Sequence, residues 1–391
     1  MTLDPVLVAL VRAELAASRG APLAVASDPA ARGAARERVR IAAARHVRVD
    51  APLLDALCAA LFGYGPLQPY IDAPDVTDVL VNGPRDVYVE RAGRLERVDA
   101  RFADEAELAD LIFRIAAAVG RELTLDHPYL DARLADGSRA NVVIAPVGGP
   151  ALCIRKVRRE PLPLRGPGSW VERGALSDEA AAFLDACMGA RLNLLVTGAT
   201  GSGKTTLLRA LAERIPPHER IVVVEDTVEL VLEHPHVVRL ECVPPREGHS
   251  GVRVADLVEN ALRMRPDRII VGEIRTPREA YASLEALATG HPGSATTIHG
   301  SDADEALARL ELLLLRADAA IPLLAARAHV RRAFDLVVSV ARSADGSRVV
   351  SSVQLVADEA AVPLFRREGA DLRRVPVDPS RVTHEHVRAL L

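Results

Sequence analysis

Lysine is nearly missing from this chain. Of 49 basic residues only Lys156 and Lys204 are lysine, and the rest are arginine. Together with the alanine excess, that bias points to a GC-rich coding sequence. A lysine that remains draws attention to a position where the broad guanidinium substitutes poorly for a compact ammonium. Aromatic residues make up 3% of the chain and are not interleaved with basic ones, which argues against a surface that stacks on single-stranded nucleic acid. An excess of positive charge is also absent: the net charge of -4 excludes a global basic field for holding nucleic acid or anionic lipid. The four cysteines, Cys58, Cys153, Cys187 and Cys242, form no CxxC pair. The expectation is buried free thiols in a reducing compartment, not a zinc site or a disulfide framework. A membrane-spanning helix takes about 20 apolar residues, and the richest stretch, 306–326, is broken by Arg309, Glu311, Arg316 and Asp318. The opening residues carry Asp4 and Pro5 where a secretory signal would be basic, so a cytoplasmic protein is expected.

What is present is an ordinary globular composition. The chain has 391 residues, 49% hydrophobic and 26% charged, enough for two or three domains of about 100–200 residues. Residues 1–50 read as a helical extension, with helices at 5–17 and 29–44 separated by Gly20-Ala21-Pro22 and Asp28-Pro29. Residues 51–160 read as a small α+β domain: strands at 76–81 and 86–90 flank Asn82-Gly83-Pro84, a helix spans 105–119, and a second strand pair occupies 139–145 and 151–157. Residues 161–176, with Pro161, Pro163, Pro167, Gly166 and Gly168, read as an interdomain linker. From 177 to 391 strands at 192–197, 221–225, 268–272 and 295–299 alternate with helices at 205–214, 254–263, 277–288 and 302–315. That alternation predicts an α/β domain whose mostly parallel sheet is covered on both faces. The tail from Asp335 reads as a hairpin through Ala344-Asp345-Gly346, followed by weakly structured sequence.

The strongest local signal is Gly198-Ala199-Thr200-Gly201-Ser202-Gly203-Lys204-Thr205, a full GxxxxGK[ST] match followed by Thr206. An apolar strand runs into it and a helix leaves it. Glycines allow successive N–H groups to turn inward around a phosphate, and the helix N-terminus adds free donors. Lys204 can reach the β- and γ-phosphates, and Thr205 offers a hydroxyl to Mg²⁺. The loop predicts an ATP or GTP site.

Hydrolysis also needs carboxylates near the phosphates. Two acids close apolar runs: Glu225, in Glu225-Asp226-Thr227-Val228-Glu229, and Glu273, after 268–272. Ligands sit at the C-terminal ends of such strands, and either glutamate could polarise water directly or through a metal. Thr289-Gly290-His291-Pro292-Gly293-Ser294-Ala295-Thr296-Thr297-Ile298-His299 adds two histidines. The glycine-bounded turn suggests that this whole segment lies on the nucleotide side of the sheet, where a histidine would contact the γ-phosphate or couple subunits.

These four segments, in this order, resemble the type II/type IV secretion ATPase superfamily, and most nearly its Tad/CpaF-type branch of pilus-assembly and conjugal-transfer ATPases. The likeness runs from about Leu57 to Val356. It implies an α/β architecture: a RecA-like P-loop NTPase domain joined by a flexible linker to a smaller PAS-like α+β domain. It further implies a Mg²⁺-dependent ATPase working as a hexameric ring, peripheral to the inner face of the cytoplasmic membrane and engaged with an inner-membrane platform protein. The resemblance places nucleotide on residues 198–206 and Mg²⁺ on Thr205 and Glu273. Catalytic roles fall to Lys204, Glu225, Glu273 and His299. Arg139 in Asp136-Gly137-Ser138-Arg139 and Arg155 in Cys153-Ile154-Arg155-Lys156, with Arg133 as a weaker candidate, match the arginines that relatives close onto the γ-phosphate. The chain departs from the family pattern in its short N-terminal extension, in Pro277 and in Gly300-Ser301. Two rivals stand beside the pilus or secretion motor: a DNA-transfer ATPase, and a nucleotide-binding switch or scaffold with negligible turnover.

Overall fold

Apolar β-branched runs separated by amphipathic helices dominate the second half of the chain, and the computed structural model assembles them into one large sheet. Described are residues 3–17, 29–91, 93–157, 162–245, 250–288, 290–318, 320–343, 345–358, 360–377 and 385–388. The chain divides into two units, Met1–Arg158 and Arg159–Leu391, each considered by itself.

The first unit opens with α1 (Pro5–Ala17), α2 (Pro29–Ala43) and α3 (Ala51–Phe62). Asp50 caps α3, its side chain accepting from Leu53 N. The three helices share one apolar cluster, with Val11, Val39, Ala43 and Leu57 among its members. The expected boundary after residue 50 is therefore corrected: α3 packs with the extension, because its apolar face finds its partners there. The unit continues with α4 (Gln68–Asp72), β1 (Val76–Val81), β2 (Val87–Arg91), β3 (Arg94–Arg97), α5 (Glu105–Ala118), β4 (Tyr129–Arg133), β5 (Arg139–Val143) and β6 (Ala151–Arg155). The strands form an antiparallel sheet in the order β3-β2-β1-β6-β5-β4. Leu108, Leu111, Ile112 and Ile115 on α5 pack with Val79, Val89, Val142 and Ile154 of the sheet.

The second unit holds α6 (Asp178–Gly189), β7 (Leu194–Gly198), α7 (Lys204–Ala212), β8 (Ile221–Glu225), β9 (Val237–Glu241), α8 (Val254–Ala261), β10 (Arg268–Val271), α9 (Pro277–Ala288), β11 (Ala295–His299), α10 (Ala303–Ala317), α11 (Leu323–Ala333), β12 (Leu336–Arg342), β13 (Arg348–Leu355), β14 (Val362–Glu368), β15 (Asp371–Arg374) and α12 (Glu385–Arg388). Its sheet runs β15-β14-β13-β12-β7-β11-β10-β8-β9. From β12 to β9 neighbouring strands are parallel, and from β12 to β15 they are antiparallel. Side chains alternate between faces. Ile221, Val223 and Ile270 join the core with α6 and α7, whereas Val222, Val224, Ile269 and Val271 face α8, α9, α10 and α11. This is the mixed α/β layout that alternating strands and helices predict.

Two further expectations are corrected here. Pro161 lies outside the described residues, but the rest of the supposed linker belongs to the second core. Leu164 and Trp170 are buried there, and Trp170 N donates to Pro163 O at 3.0 Å. Proline and glycine shape this segment into turns without loosening it. The described part of the tail is not weakly structured either. β14 and β15 extend the sheet, and Phe365 packs on Phe183 with ring centroids 5.5 Å apart. Arginines on the exposed sides of these strands hide their alternation. Of the hairpin turn before them, Ala344 lies outside the described residues, as does 18–28 between α1 and α2.

The N-terminal ends of the parallel strands are held by a buried ion pair. Arg268, at the start of β10, is fully buried. Its Nε donates to Glu219 Oε2 at 2.7 Å, and its Nη2 donates to Glu219 Oε1 at 3.1 Å and to Met188 O at 2.8 Å. Nη1 donates to Gly293 O at 3.1 Å, so one guanidinium ties together three connections. Burial alone would raise the Glu219 pKa, but the hydrogen bonds and charges of Arg268 and Arg191 hold it below the usual carboxylate value. Removing one partner strands a buried charge, which costs about 3–5 kcal/mol. Glu219→Ala is expected to lower the unfolding free energy by about that amount in urea titrations. A midpoint equal to wild type would show that this pair does not hold the sheet end.

Candidate active site

Parallel strands bring their C-terminal ends to one edge of a sheet, and here those ends carry the reactive side chains. β7 ends in Gly198, β8 in Glu225 and β11 in His299, while β10 runs on into Gly272 and Glu273. Register makes neighbours of them: His299 is opposite Gly198, and Val271 pairs with both Val224 and Thr296.

The glycine-rich loop joins β7 to α7. At Gly198 a Cβ would collide with Val340 O and Ser202 Oγ, and Gly203, at φ 102°, caps α7 in the left-handed region that glycine favours. Lys204 is the first residue of the helix and is 7% exposed. Its ammonium donates to Gly198 O at 3.0 Å and Ala199 O at 3.2 Å, and lies 3.3 Å from His299 Nδ1. An ammonium can only donate, so Nδ1 is the accepting nitrogen and the ring proton is assigned to Nε2. That nitrogen sits 3.0 Å from Glu273 Oε1 without hydrogen-bond alignment, and Lys204 Nζ is 3.9 Å from the same oxygen. Lys204, His299 and Glu273 thus form one cluster. Burial lowers the Lys204 pKa, opposed by the Glu273 charge. Burial and then the Lys204 charge lower that of His299, again opposed by Glu273. Thr205 and Thr206 follow in the first turn of α7, both half-buried.

The two candidate acids have different surroundings. Glu225 is buried. Its Oε1 accepts from Glu229 N at 3.0 Å and Leu230 N at 3.1 Å, and its Oε2 from Leu230 N at 3.3 Å. It anchors the chain after β8. Glu273 has one oxygen engaged by Arg275, whose Nε donates to Oε2 at 2.7 Å, while Oε1 is buried with no aligned donor among the described residues. Arg275 also donates to Asp226 Oδ2 at 3.3 Å. Arg275 is not among the residues expected at the site, although its position two residues after Glu273 in an extended loop is a usable signal.

His291 is placed elsewhere. Its Nδ1 lies 3.1 Å from Ala286 O, and the turn it opens is fastened to Asn193, whose Oδ1 accepts from Gly293 N at 2.8 Å and Ser294 N at 3.0 Å. These residues precede β11 and β7, at the opposite end of parallel strands from the phosphate loop. The expectation that the whole histidine segment borders the nucleotide side is corrected to His299 alone. Thr289 lies outside the described residues.

In the first unit Arg139 on β5 is directly opposite both Arg155 on β6 and Arg133 on β4. Directly opposed residues share a face, so three guanidinium-bearing side chains stand in a row. Arg155 Nε also donates to Asp78 Oδ1 at 3.0 Å. Among the described residues no group of three or more His, Cys, Asp or Glu side chains is placed to hold a metal, and no helix is long and apolar enough to cross a membrane.

A glycine-rich loop between a buried parallel strand and a helix that begins with lysine, beside acids at adjoining strand ends, defines a P-loop nucleotide-binding protein. The chain belongs to the type II/IV secretion ATPase superfamily: the family described as "Type II/IV secretion system protein" matches residues 61–369. A Mycobacterium tuberculosis (H37Rv) protein named for conjugal transfer is 38% identical over 312 residues, covering 78% of this chain and 87% of the relative. The type IV secretion system protein PtlH of Bordetella pertussis is 34% identical over 307 residues, covering 71% and 89%. In fold the chain is similar to the ATPase DotB of Legionella pneumophila, with a TM-score of 0.54 at 24% identity over 75% of this chain and 80% of that one. It is also similar to the pilus retraction motor PilT with bound ADP, at 0.53 and 21% over 78% and 82%.

The imidazole environment yields a pH prediction. The folded protein disfavours the charged ring, so below about pH 6.5 the unfolded chain binds the proton more readily and His299 subtracts stability as pH falls. His299→Gln is expected to lose less stability than wild type between pH 7.5 and 5.5 in urea titrations. Parallel losses in the two proteins would contradict the assignment.

Proposed function

We propose that the protein is a Mg²⁺-dependent ATPase, converting ATP and water to ADP and phosphate, and that it works as a homo-oligomeric, hexameric ring motor. It would power Tad/Flp-type pilus assembly or a related type II/IV secretion step through an inner-membrane platform protein, while peripheral to the cytoplasmic face of that membrane. In this reading the second unit is the RecA-like motor and the first is PAS-like. The observation that carries the proposal is the cluster of Lys204, His299 and Glu273 at the mouth of the glycine-rich loop.

The loop amides of 198–206 would surround the phosphates, with the Lys204 ammonium exchanging its two carbonyl partners for β- and γ-phosphate oxygens. Thr205 and Glu273 are the residues to hold Mg²⁺, which takes one or two protein oxygens and fills its shell with phosphate and water. The buried Glu273 Oε1 with no aligned donor fits that role. When bound, the ion supplies Lewis-acid polarisation of phosphoryl oxygens. Glu273 also orients the attacking water, whereas the backbone bonds of Glu225 suit it to holding the 226–230 loop. His299, neutral at pH 7, accepts from Lys204 and reports the position of the ammonium. Arg139 and Arg155 would act on the γ-phosphoryl as arginine fingers; what supports this is that they stand directly opposite each other on adjacent strands.

Lys204→Ala is expected to cut steady-state phosphate release at least a hundredfold, and Glu273→Gln to do the same with nucleotide binding retained. Wild-type turnover in Lys204→Ala would end the active-site assignment. Negligible turnover in the wild type would favour the switch or scaffold reading. Arg139→Ala with Arg155→Ala is expected to cut turnover at least tenfold while leaving the melting of the second unit unchanged; an unaffected rate would dismiss the arginine fingers. The relative named for conjugal transfer favours a second reading, a DNA-transfer ATPase, which predicts DNA-stimulated activity with steep salt dependence.

A further inference from the structure

Two arginines outside the family motifs touch the phosphate loop from the C-terminal hairpin. Arg342 closes β12 and Arg348 opens β13, and they are directly opposite in the ladder. Like charges so placed repel each other. The turn between them is fixed by Asp345, which accepts from Ser347 N at 2.9 Å and Ser347 Oγ at 2.7 Å, and which Ser343 and Ser347 hold down to a pKa of about 2. Both guanidiniums converge on one acceptor: Arg342 Nε donates to Gly201 O at 3.1 Å and Arg348 Nε to the same oxygen at 3.2 Å. The contact continues along the loop. A Cβ on Gly203 would lie 3.1 Å from Arg348 Cδ and 3.5 Å from Trp170 Cη2.

We propose that Arg342 and Arg348 are positioning residues of the phosphate loop, fixing the Gly201–Ser202 peptide so that the loop is already shaped for phosphate. A trans peptide points its C=O and the following N–H in opposite directions. Holding Gly201 O against the hairpin therefore turns Ser202 N–H toward the loop interior, where it donates to Ala199 O at 3.2 Å. Two charge-assisted donors on one carbonyl are stronger than neutral ones, and the shared oxygen offsets the repulsion between the guanidiniums. A glycine-rich loop held this way loses less conformational freedom when it closes on phosphate, so the pair acts on affinity.

The proposal rests on reading this site as a nucleotide site, and the test separates the two. MgADP binding to the full chain is measured by titration calorimetry, with Trp170, the single tryptophan, as a fluorescence reporter beside the loop. Arg342→Gln combined with Arg348→Gln is expected to weaken MgADP about tenfold, or about 1.4 kcal/mol, and to raise KM for ATP similarly while kcat changes less than about twofold. The single changes Arg342→Lys and Arg348→Lys keep the charge but lose the Nε donor, so each is expected to weaken MgADP about threefold; they also serve if the double variant does not fold. Wild-type affinity in these variants, full rescue by lysine, or a lowered melting temperature with unchanged KM would each overturn the positioning role. A wild-type chain that binds no MgADP would overturn the nucleotide reading itself, and this inference with it.

Discussion

A single ammonium kept almost wholly out of water organises the second unit. Lys204 is 7% exposed, and a charge so buried needs compensating oxygens close by. Two loop carbonyls and, slightly further off, the Glu273 carboxylate supply them. Each of those groups is in turn held: Gly198 by strand pairing with β11, Ala199 O by Ser202 N, and Glu273 by Arg275. The parallel sheet is what makes this possible, because it delivers the C-terminal ends of β7, β8, β10 and β11 to one edge.

The opposite edge shows the complementary solution. There Arg268 and Glu219 are buried together and each guanidinium nitrogen has a partner. At the phosphate-loop edge polar capacity is left over, most plainly at Glu273 Oε1. One end of the strands is closed by a buried, bonded ion pair and the other keeps groups in reserve, the division between scaffold and site seen in open α/β sheets.

The glycine-rich loop and its flanking strand and helix were legible because their residues are contiguous, and each local choice agrees with the next. Glu273 was legible for a related reason, since it closes an apolar run, and His299 through the glycine-bounded segment that it ends. Features set by pairing at a distance were not. Nothing near Arg342 or Arg348 announces that hairpin register brings both to Gly201. Arg268 looks like any other arginine of this arginine-rich chain until its burial is seen. The 162–176 segment misled through composition, since its proline and glycine content signals a joint while Leu164 and Trp170 pack as core. His291 misled through proximity in sequence, because a strand separates the two ends of its motif.

The sheet margins carry one more consequence. β3 is exposed along its whole length and bears Arg94, Glu96 and Arg97, and β15 presents Arg373 and Arg374 to solvent. Charged borders of this kind discourage a neighbouring chain from adding a strand. Along those two margins each ladder therefore ends where it is, while β4 and β9 form the other two edges.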